Sequence, residues 1–252
     1  MSLAAMKLGR HAPTAAQRRL SIPLRDVLRK PLPPGPPSYE GVRNAPLLMG
    51  HNDTVGDCVF VSMGNTDAVR SVLEHRDPVC TDDGLRDAYF KWTGGEDVGA
   101  NEGEVYRAAA QDGFVLGAVG SAPWKLANGT LTIPVDDLET RKSVIAMLGS
   151  VALGLNLPLS AQDGGTWDLP AGPLTGRNTP GSWGGHAALQ GSYREDGGLD
   201  ILTWKTWQLA TERFMQGVCD EVHVLPDALL VLSPYVDYDA VMAALAALAA
   251  RT

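Results

Sequence analysis

The sequence predicts a loop-rich α+β protein, and three observations carry that reading. Helix caps and helical spacings fill the first half of the chain, whereas from about residue 130 apolar residues alternate or run continuously, as they do in strands. Aromatic residues are scarce (6%) while glycines (28) and prolines (17) are plentiful, a composition that suits many loops. At 252 residues and 44% hydrophobic, the chain is long enough for one sizeable core built as two lobes.

Residues 1–42 read as an extended arm and residues 43–252 as the folded domain. The arm holds the stiff, donor-poor run Pro31 to Pro37, and before it Leu20, Ile22, Leu24, Val27 and Leu28 give only a short amphipathic turn. Its seven basic residues outnumber two acidic ones, a balance of +5, while the remainder carries fourteen basic and 27 acidic residues, a balance of −13. A basic arm on an acidic body is expected to lie on another chain, a protein partner or a second copy, with Leu20, Ile22 and Leu24 filling shallow apolar grooves; the competing outcome is an arm that wraps its own body and occludes Cys58, as a propeptide would. Nucleic acid is disfavoured as a partner, because the arm has no aromatics to stack on bases and the body repels phosphate.

Cys58 to about Leu73 reads as the first helix of the domain, interrupted or ended early near Gly64, Asn65 and Thr66. Thr81, Asp82 and Asp83 cap a second helix to about Trp92, with Leu85, Ala88 and Tyr89 on one face, and Glu102 to Ala110 reads as a third. The glycine-rich loop Thr93 to Asn101 between them carries acids and lacks Gly-Lys-Ser/Thr, which argues against phosphate binding. In the second half, Thr130 to Ile133 alternates as a strand, Asp136 and Asp137 cap a helix to about Leu148, and Val151 to Leu155 forms a buried strand. Ala161 to Pro180 is read as a long surface loop. Strands follow near Gly185 to Ser192 and Leu199 to Trp204, then a helix near Leu209 to Gln216. Further strands are placed near Glu221 to Leu225 and Leu229 to Leu232, and an alanine-rich helix runs from Tyr238 to Ala250.

The chemistry centres on Gly50 to Met63, where a polar, glycine-punctuated loop delivers Cys58 to the first turn of an apolar helix. A sulfur there feels the positive end of the helix dipole, which favours the thiolate, and Asp57 can cap the helix. Six residues earlier, Asn52 offers an amide that, with the Cys58 N–H, makes a pair of oxyanion donors. The base candidate is His186 in Ser182-Trp183-Gly184-Gly185-His186-Ala187, where glycines allow close approach to the ring and Trp183 and Trp204 shield it. Cys80 and Cys219 read as small buried hydrophobes, and the remaining histidines (His11, His51, His75 and His223) have no metal-ligand spacing. No metal or cofactor is expected.

The order of an amide residue, Cys opening a helix six residues later, and a distant Gly-His-Ala opening a strand resembles the papain-like cysteine peptidases. The Gly56-Asp57-Cys58 and Ser182 to Ala187 wording is similar to bacterial and phage-encoded members. The resemblance spans roughly Asn44 to Leu232. It implies a two-lobed α+β fold, a helical lobe with Cys58 and a β-rich lobe with His186, preceded by the arm. It also implies catalysis by Cys58 and His186, with Asn52 at the oxyanion. The family's orienting Asn, some fifteen residues after the His, has no counterpart in Asp200-Ile201-Leu202-Thr203-Trp204-Lys205. Thr203 is the closest positional match and Asp200 the stronger partner chemically, and the two fall on opposite faces of a strand.

Two functions of different class follow. One is a thiol hydrolase, a cysteine peptidase or amidase acting on a peptide or a cell-wall crosslink. The other is a non-catalytic virion structural protein of a bacteriophage, capsid or tail, whose arm bridges subunits. Three cysteines without a CxxC pair suit a reducing compartment, the start lacks the apolar core of a signal peptide, and no apolar run is long enough for a membrane span. A cytoplasmic or virion-associated location is the expectation.

Overall fold

A computed structural model describes residues 3–106, 131–225 and 234–249. The elements are α1 (Ala15–Arg18), β1 (Ile22–Pro23), α2 (Cys58–Leu73), α3 (Asp82–Trp92), α4 (102–106), β2 (Leu131–Thr132), α5 (Leu138–Leu148), β3 (Val151–Leu157), β4 (Gly184–Tyr193), β5 (Gly198–Thr203), β6 (Thr206–Thr211), α6 (Glu212–Val218), β7 (Cys219–Val224) and α7 (Tyr238–Ala249). The strands form one sheet in the order β1-β2-β7-β3-β4-β5-β6, antiparallel except for the β1–β2 pair. Among the described residues, no helix is long and apolar enough to cross a membrane.

Strand alternation divides the molecule into two lobes. Successive side chains point to opposite faces of the sheet, so Ala152, Ala187, Leu189 and Leu202 join α2 and α3 in one apolar core. Their neighbours Leu153, Leu155, Ala188 and Ile201 pack with α5, α6 and α7 in the other. The α2 helix runs unbroken through Gly64, Asn65 and Thr66, where the sequence suggested a break. Gly64 lets α3 approach closely, since a Cβ there would stand 2.5 Å from Leu85 Cδ1. Asn65 turns its side chain to both the N–H and the carbonyl of Leu48, so it ties down a loop without competing for the helix backbone.

The expected caps at Thr81 and Asp137 accept hydrogen bonds from Gly84 and Thr140, and α3 buries Leu85, Ala88 and Tyr89. Leu209 and Ala210, expected to open a helix, instead belong to β6, paired with Asp200 and Leu199, and the helix starts at Glu212 behind its Thr211 cap. The two-residue turn that makes this hairpin, Trp204-Lys205, has φ of +44° and +58° without a glycine or asparagine to announce it. The loop 161–180 is partly built in, because Trp167 pairs with Ala210 and is buried with Leu169. The expected strand Leu229 to Leu232 lies outside the described residues, as does the end of the helix from Glu102.

The arm folds against its own chain rather than leaving it. Ile22–Pro23 adds an edge strand beside Leu131–Thr132, and Ile22, Leu24 and Val27 are buried in the sheet core. Leu28 bridges to Val236, and Tyr39 exchanges backbone hydrogen bonds with Tyr193. Charge attraction to the acidic body contributes, as when Arg18 reaches Asp220. The larger cause is apolar, since Ile22, Leu24 and Val27 find a deep core in place of a shallow groove.

Candidate active site

Cys58 opens α2 as expected, at the base of a loop fixed by acids from the neighbouring helix and loop. Asp82 Oδ1 accepts from the Met49 and Gly50 N–H groups at 2.8 Å each, and Asp97 Oδ1 accepts from Gly56 N–H at 2.9 Å. Asp57 occupies the N-cap position, but its side chain makes no capping bond. It is buried, and burial pushes its carboxyl up to about 8, against partial relief from its own backbone and from the Asn52 amide. Asn52, also buried, donates from Nδ2 to the Val55 carbonyl at 3.1 Å. As placed, Asn52 braces the loop that presents the Cys58 N–H.

From the other lobe, β4 brings His186, and the next residue, Ala187, donates its N–H to Cys58 Sγ at 3.4 Å. The two halves of the resemblance therefore meet where helix and sheet pack. His186 Nε2 lies 2.6 Å from Thr203 Oγ1, so the position fifteen or so residues along does hold the ring, with a hydroxyl where the family has an amide. Asp200 faces away and is held by Ser192, Arg194 and Arg43. The hydroxyl can accept from Nε2–H or donate to a bare Nε2; in the first case Nδ1 is the basic nitrogen, and Nδ1 makes no hydrogen bond among the described residues. Trp204 stacks on the imidazole with ring centroids 4.3 Å apart, held there by its left-handed backbone, and Trp183 backs it at 5.5 Å.

The arm crosses this site, the outcome that competed with a partner chain. Arg10 N–H donates to the Gly185 carbonyl at 3.1 Å, Ala100 N–H donates to Gly9 at 2.7 Å, and His11 N–H donates to Ala100 at 2.8 Å. The arm thus lies between the helical lobe and the His186 strand, paired with both. The fit is backbone on backbone: a Cβ on Gly9 would stand 1.9 Å from the Gly56 carbonyl oxygen, and one on Gly185 would stand 2.1 Å from that of Arg10. Cys58 and His186 are each 1% exposed. Burial pushes the thiol up to about 12, against the pull of the Ala187 and Gly9 amides, and burial with the Arg10 charge pushes the imidazole down to about 3. The expected depressed thiol is thus reversed, because burial disfavours its charged form, and neither partner is charged at neutral pH.

Behind Gly9, the Arg10 side chain enters a buried acidic recess. Nε lies 2.6 Å from Glu102, and Nη2 lies 2.5 Å from Asp220 and 2.6 Å from Glu221. Glu102, Glu221 and His223 place ligand-type atoms close enough to hold a metal ion, but the Arg10 guanidinium holds the two acids here. The signal in sequence was a glycine before an arginine in a segment otherwise set aside as a tail.

No family model matches the chain. No curated protein matches it either. Among solved structures it is similar to xylellain, a cysteine protease from Xylella fastidiosa (TM-score 0.62, 11% identity, 89% of this chain and 97% of that one). It is also similar to procathepsin L 3 of Tenebrio molitor larval midgut (TM-score 0.55, 12% identity, 88% and 76%). A third is the Amb a 11 cysteine protease of ragweed pollen in its proform (TM-score 0.51, 16% identity, 76% and 67%). The fold of this chain is that of the papain-like cysteine proteases.

Proposed function

We propose that this protein is a thiol hydrolase of the cysteine-peptidase or amidase type, held latent by its own N-terminal arm. The observation that carries the proposal is the strand-like seating of Gly9 to His11 between Ala100 and Gly185, over Cys58, whose Sγ accepts the N–H of Ala187, the residue after His186. Once the arm leaves, water returns to the cleft and the burial that keeps Cys58 and His186 neutral is relieved. Transfer of the thiol proton to His186 then gives the nucleophile. The Cys58 sulfur attacks an amide carbonyl, the Cys58 N–H steadies the oxyanion, and His186 returns the proton to the departing amine. Water, deprotonated by the same imidazole, releases the acyl group and restores the thiol. Thr203 orients the ring, and with Nε2–H donating to its hydroxyl Nδ1 serves as the base.

Procathepsin L 3 and Amb a 11 were solved as a proenzyme and a proform, which fits the latent reading without naming a substrate for this chain. A peptide or a cell-wall crosslink are the substrates proposed. The virion alternative draws on the missing Asn and on an arm spanning subunits; an arm seated in its own cleft favours the hydrolase reading.

Gly9→Val supplies the test. Any side chain at this position collides with the Gly56 carbonyl, so the cleft segment must lift while Ile22 to Val27 stays anchored. The expected result is amide hydrolysis by Gly9→Val that exceeds wild type and disappears on adding Cys58→Ala or His186→Ala. A folded Gly9→Val protein with no hydrolysis of peptide or muropeptide pools contradicts the proposal.

A further inference from the structure

The recess that receives Arg10 is shaped for a guanidinium, and three independent features make it so. The first is a bulge: β3 pairs Gly154 with Glu221 but Leu155 with Cys219, so Asp220 is an extra residue on β7. Consecutive strand residues normally point to opposite faces, and the bulge lets Asp220 and Glu221 both reach Nη2 of one arginine. The second is Gly154, whose missing side chain is the floor of the recess. A Cβ there would stand 2.1 Å from Arg10 Nη2. The third is Glu102, fully buried on the opposite lobe, which meets Nε. Contacts at both Nε and Nη2 need a planar fork, and a lysine ammonium offers a single nitrogen.

The recess also sits next to the reacting atoms. The residue before Arg10 contributes an amide that favours the Cys58 thiolate, and Arg10's own N–H is held by Gly185, directly before His186. Arg10 faces three carboxylates, with Arg18 also on Asp220 and His223 beside Glu221, so its departure leaves a more negative recess that a cationic replacement fills.

We infer that this recess is a substrate-recognition subsite selective for arginine, that Arg10 is its internal occupant, and that the arm-free protein acts on peptides carrying arginine beside the bond that Cys58 attacks. The inference rests on the latent-hydrolase reading for the cleavage step alone, so its test reads binding without catalysis.

The test uses the full chain carrying Gly9→Val, Arg10→Ala and Cys58→Ala, which empties the recess and silences the thiol. Fluorescently tagged peptides of sequence Met-Lys-Leu-Gly-X-His-Ala, with X as Arg, Lys or Ala, are titrated by anisotropy. The arginine peptide should bind about tenfold or more tightly than the other two. Glu221→Gln or Glu102→Gln, checked for an unchanged melting temperature, should erase that preference, and Gly154→Val should block the arginine peptide by filling the floor. Equal binding of all three peptides overturns the inference, as does a divalent cation, Zn²⁺ or Mn²⁺ added alone, that occupies Glu102, Glu221 and His223 and resists displacement by the arginine peptide. Hydrolysis by Gly9→Val without arginine preference would refute the subsite and leave the hydrolase standing. Arginine-selective binding without any hydrolysis would do the reverse.

Discussion

The arm is anchored twice, and the two anchors differ in kind. Residues Gly9 to His11 lie in the cleft, held by backbone pairing, glycine-on-backbone contacts and the Arg10 carboxylates. Residues Ile22 to Val27 add a strand to the sheet and bury apolar side chains in its core. A polar anchor in a cleft exchanges readily for water or for another polar ligand, because its groups are solvated again when it leaves. An apolar anchor in a core does not, since its departure exposes surface with no compensating bond. One stretch of chain therefore serves as a removable plug at one end and a fixed part of the fold at the other.

The largest expected effect separates the anchors by truncation. Removing residues 1–28 takes away β1 and the buried Ile22, Leu24 and Val27. At roughly 1.5–3 kcal/mol for each buried side chain, the loss approaches the whole stability of a typical domain. This variant should fail to unfold cooperatively in thermal denaturation, whereas removal of residues 1–11 should leave a cooperative transition. An intact, cooperative 1–28 truncation would place the fixed anchor elsewhere.

Next in size is Leu24→Ala, expected to cost about 2–4 kcal/mol through the cavity it leaves, read as a lowered midpoint in urea. Arg10→Ala should lower the same midpoint less, because the plug can lift and return Asp220 and Glu221 to water. A larger loss for Arg10→Ala than for Leu24→Ala would reverse the comparison.

Asp57 gives a pH dependence with a definite sign. Its folded pKa of about 8 lies above the ordinary 3.8, so the unfolded chain ionises first as pH rises. This group's contribution is fully present below about pH 4 and is lost progressively up to about pH 8, by an amount of the order of a few kcal/mol. Asp57→Asn should flatten the stability profile across that window, and an unchanged slope would show that another group sets it.

The smallest effect concerns orientation. Thr203→Val removes the hydroxyl from His186 Nε2, and in the Gly9→Val background it should slow turnover by about tenfold, in line with loss of roughly one hydrogen bond to the base. Thr203→Ser should restore the rate, because the hydroxyl alone makes the contact.

Local signals in the sequence reached Cys58, His186 and Thr203, because each is announced by neighbours: a glycine-polar approach to a helix, glycines before a histidine, a strand register after it. The same holds for the Thr81 and Asp137 caps, whose side chains act within three residues. The arm's direction stays open in the sequence because its partners on this chain are remote. Arg10 meets Glu102, Asp220 and Glu221, and Ile22 meets Leu131, contacts that neither charge balance nor periodicity reveals. A balance of +5 against −13 predicts attraction to an acidic surface but does not say whose. Gly9 carries no local signal, yet its lack of a side chain is what admits the backbone beneath the Gly56 carbonyl. The Trp204-Lys205 hairpin escaped because its turn uses residues that rarely adopt positive φ, a strain offset by stacking on His186.

If the arm, and not the chemistry of the site, keeps Cys58 inert, the alkylation rate of Cys58 by iodoacetamide near neutral pH, followed by mass spectrometry, shows it most directly. Burial under the arm holds the thiol at about 12, so wild-type Cys58 should label as slowly as Cys80 and Cys219. In Gly9→Val the thiol should return toward or below the ordinary value of about 8.5 and label faster by roughly a thousandfold, with His186→Ala slowing it again. A wild-type Cys58 that already labels rapidly, or a Gly9→Val protein in which all three thiols stay equally slow, would contradict it.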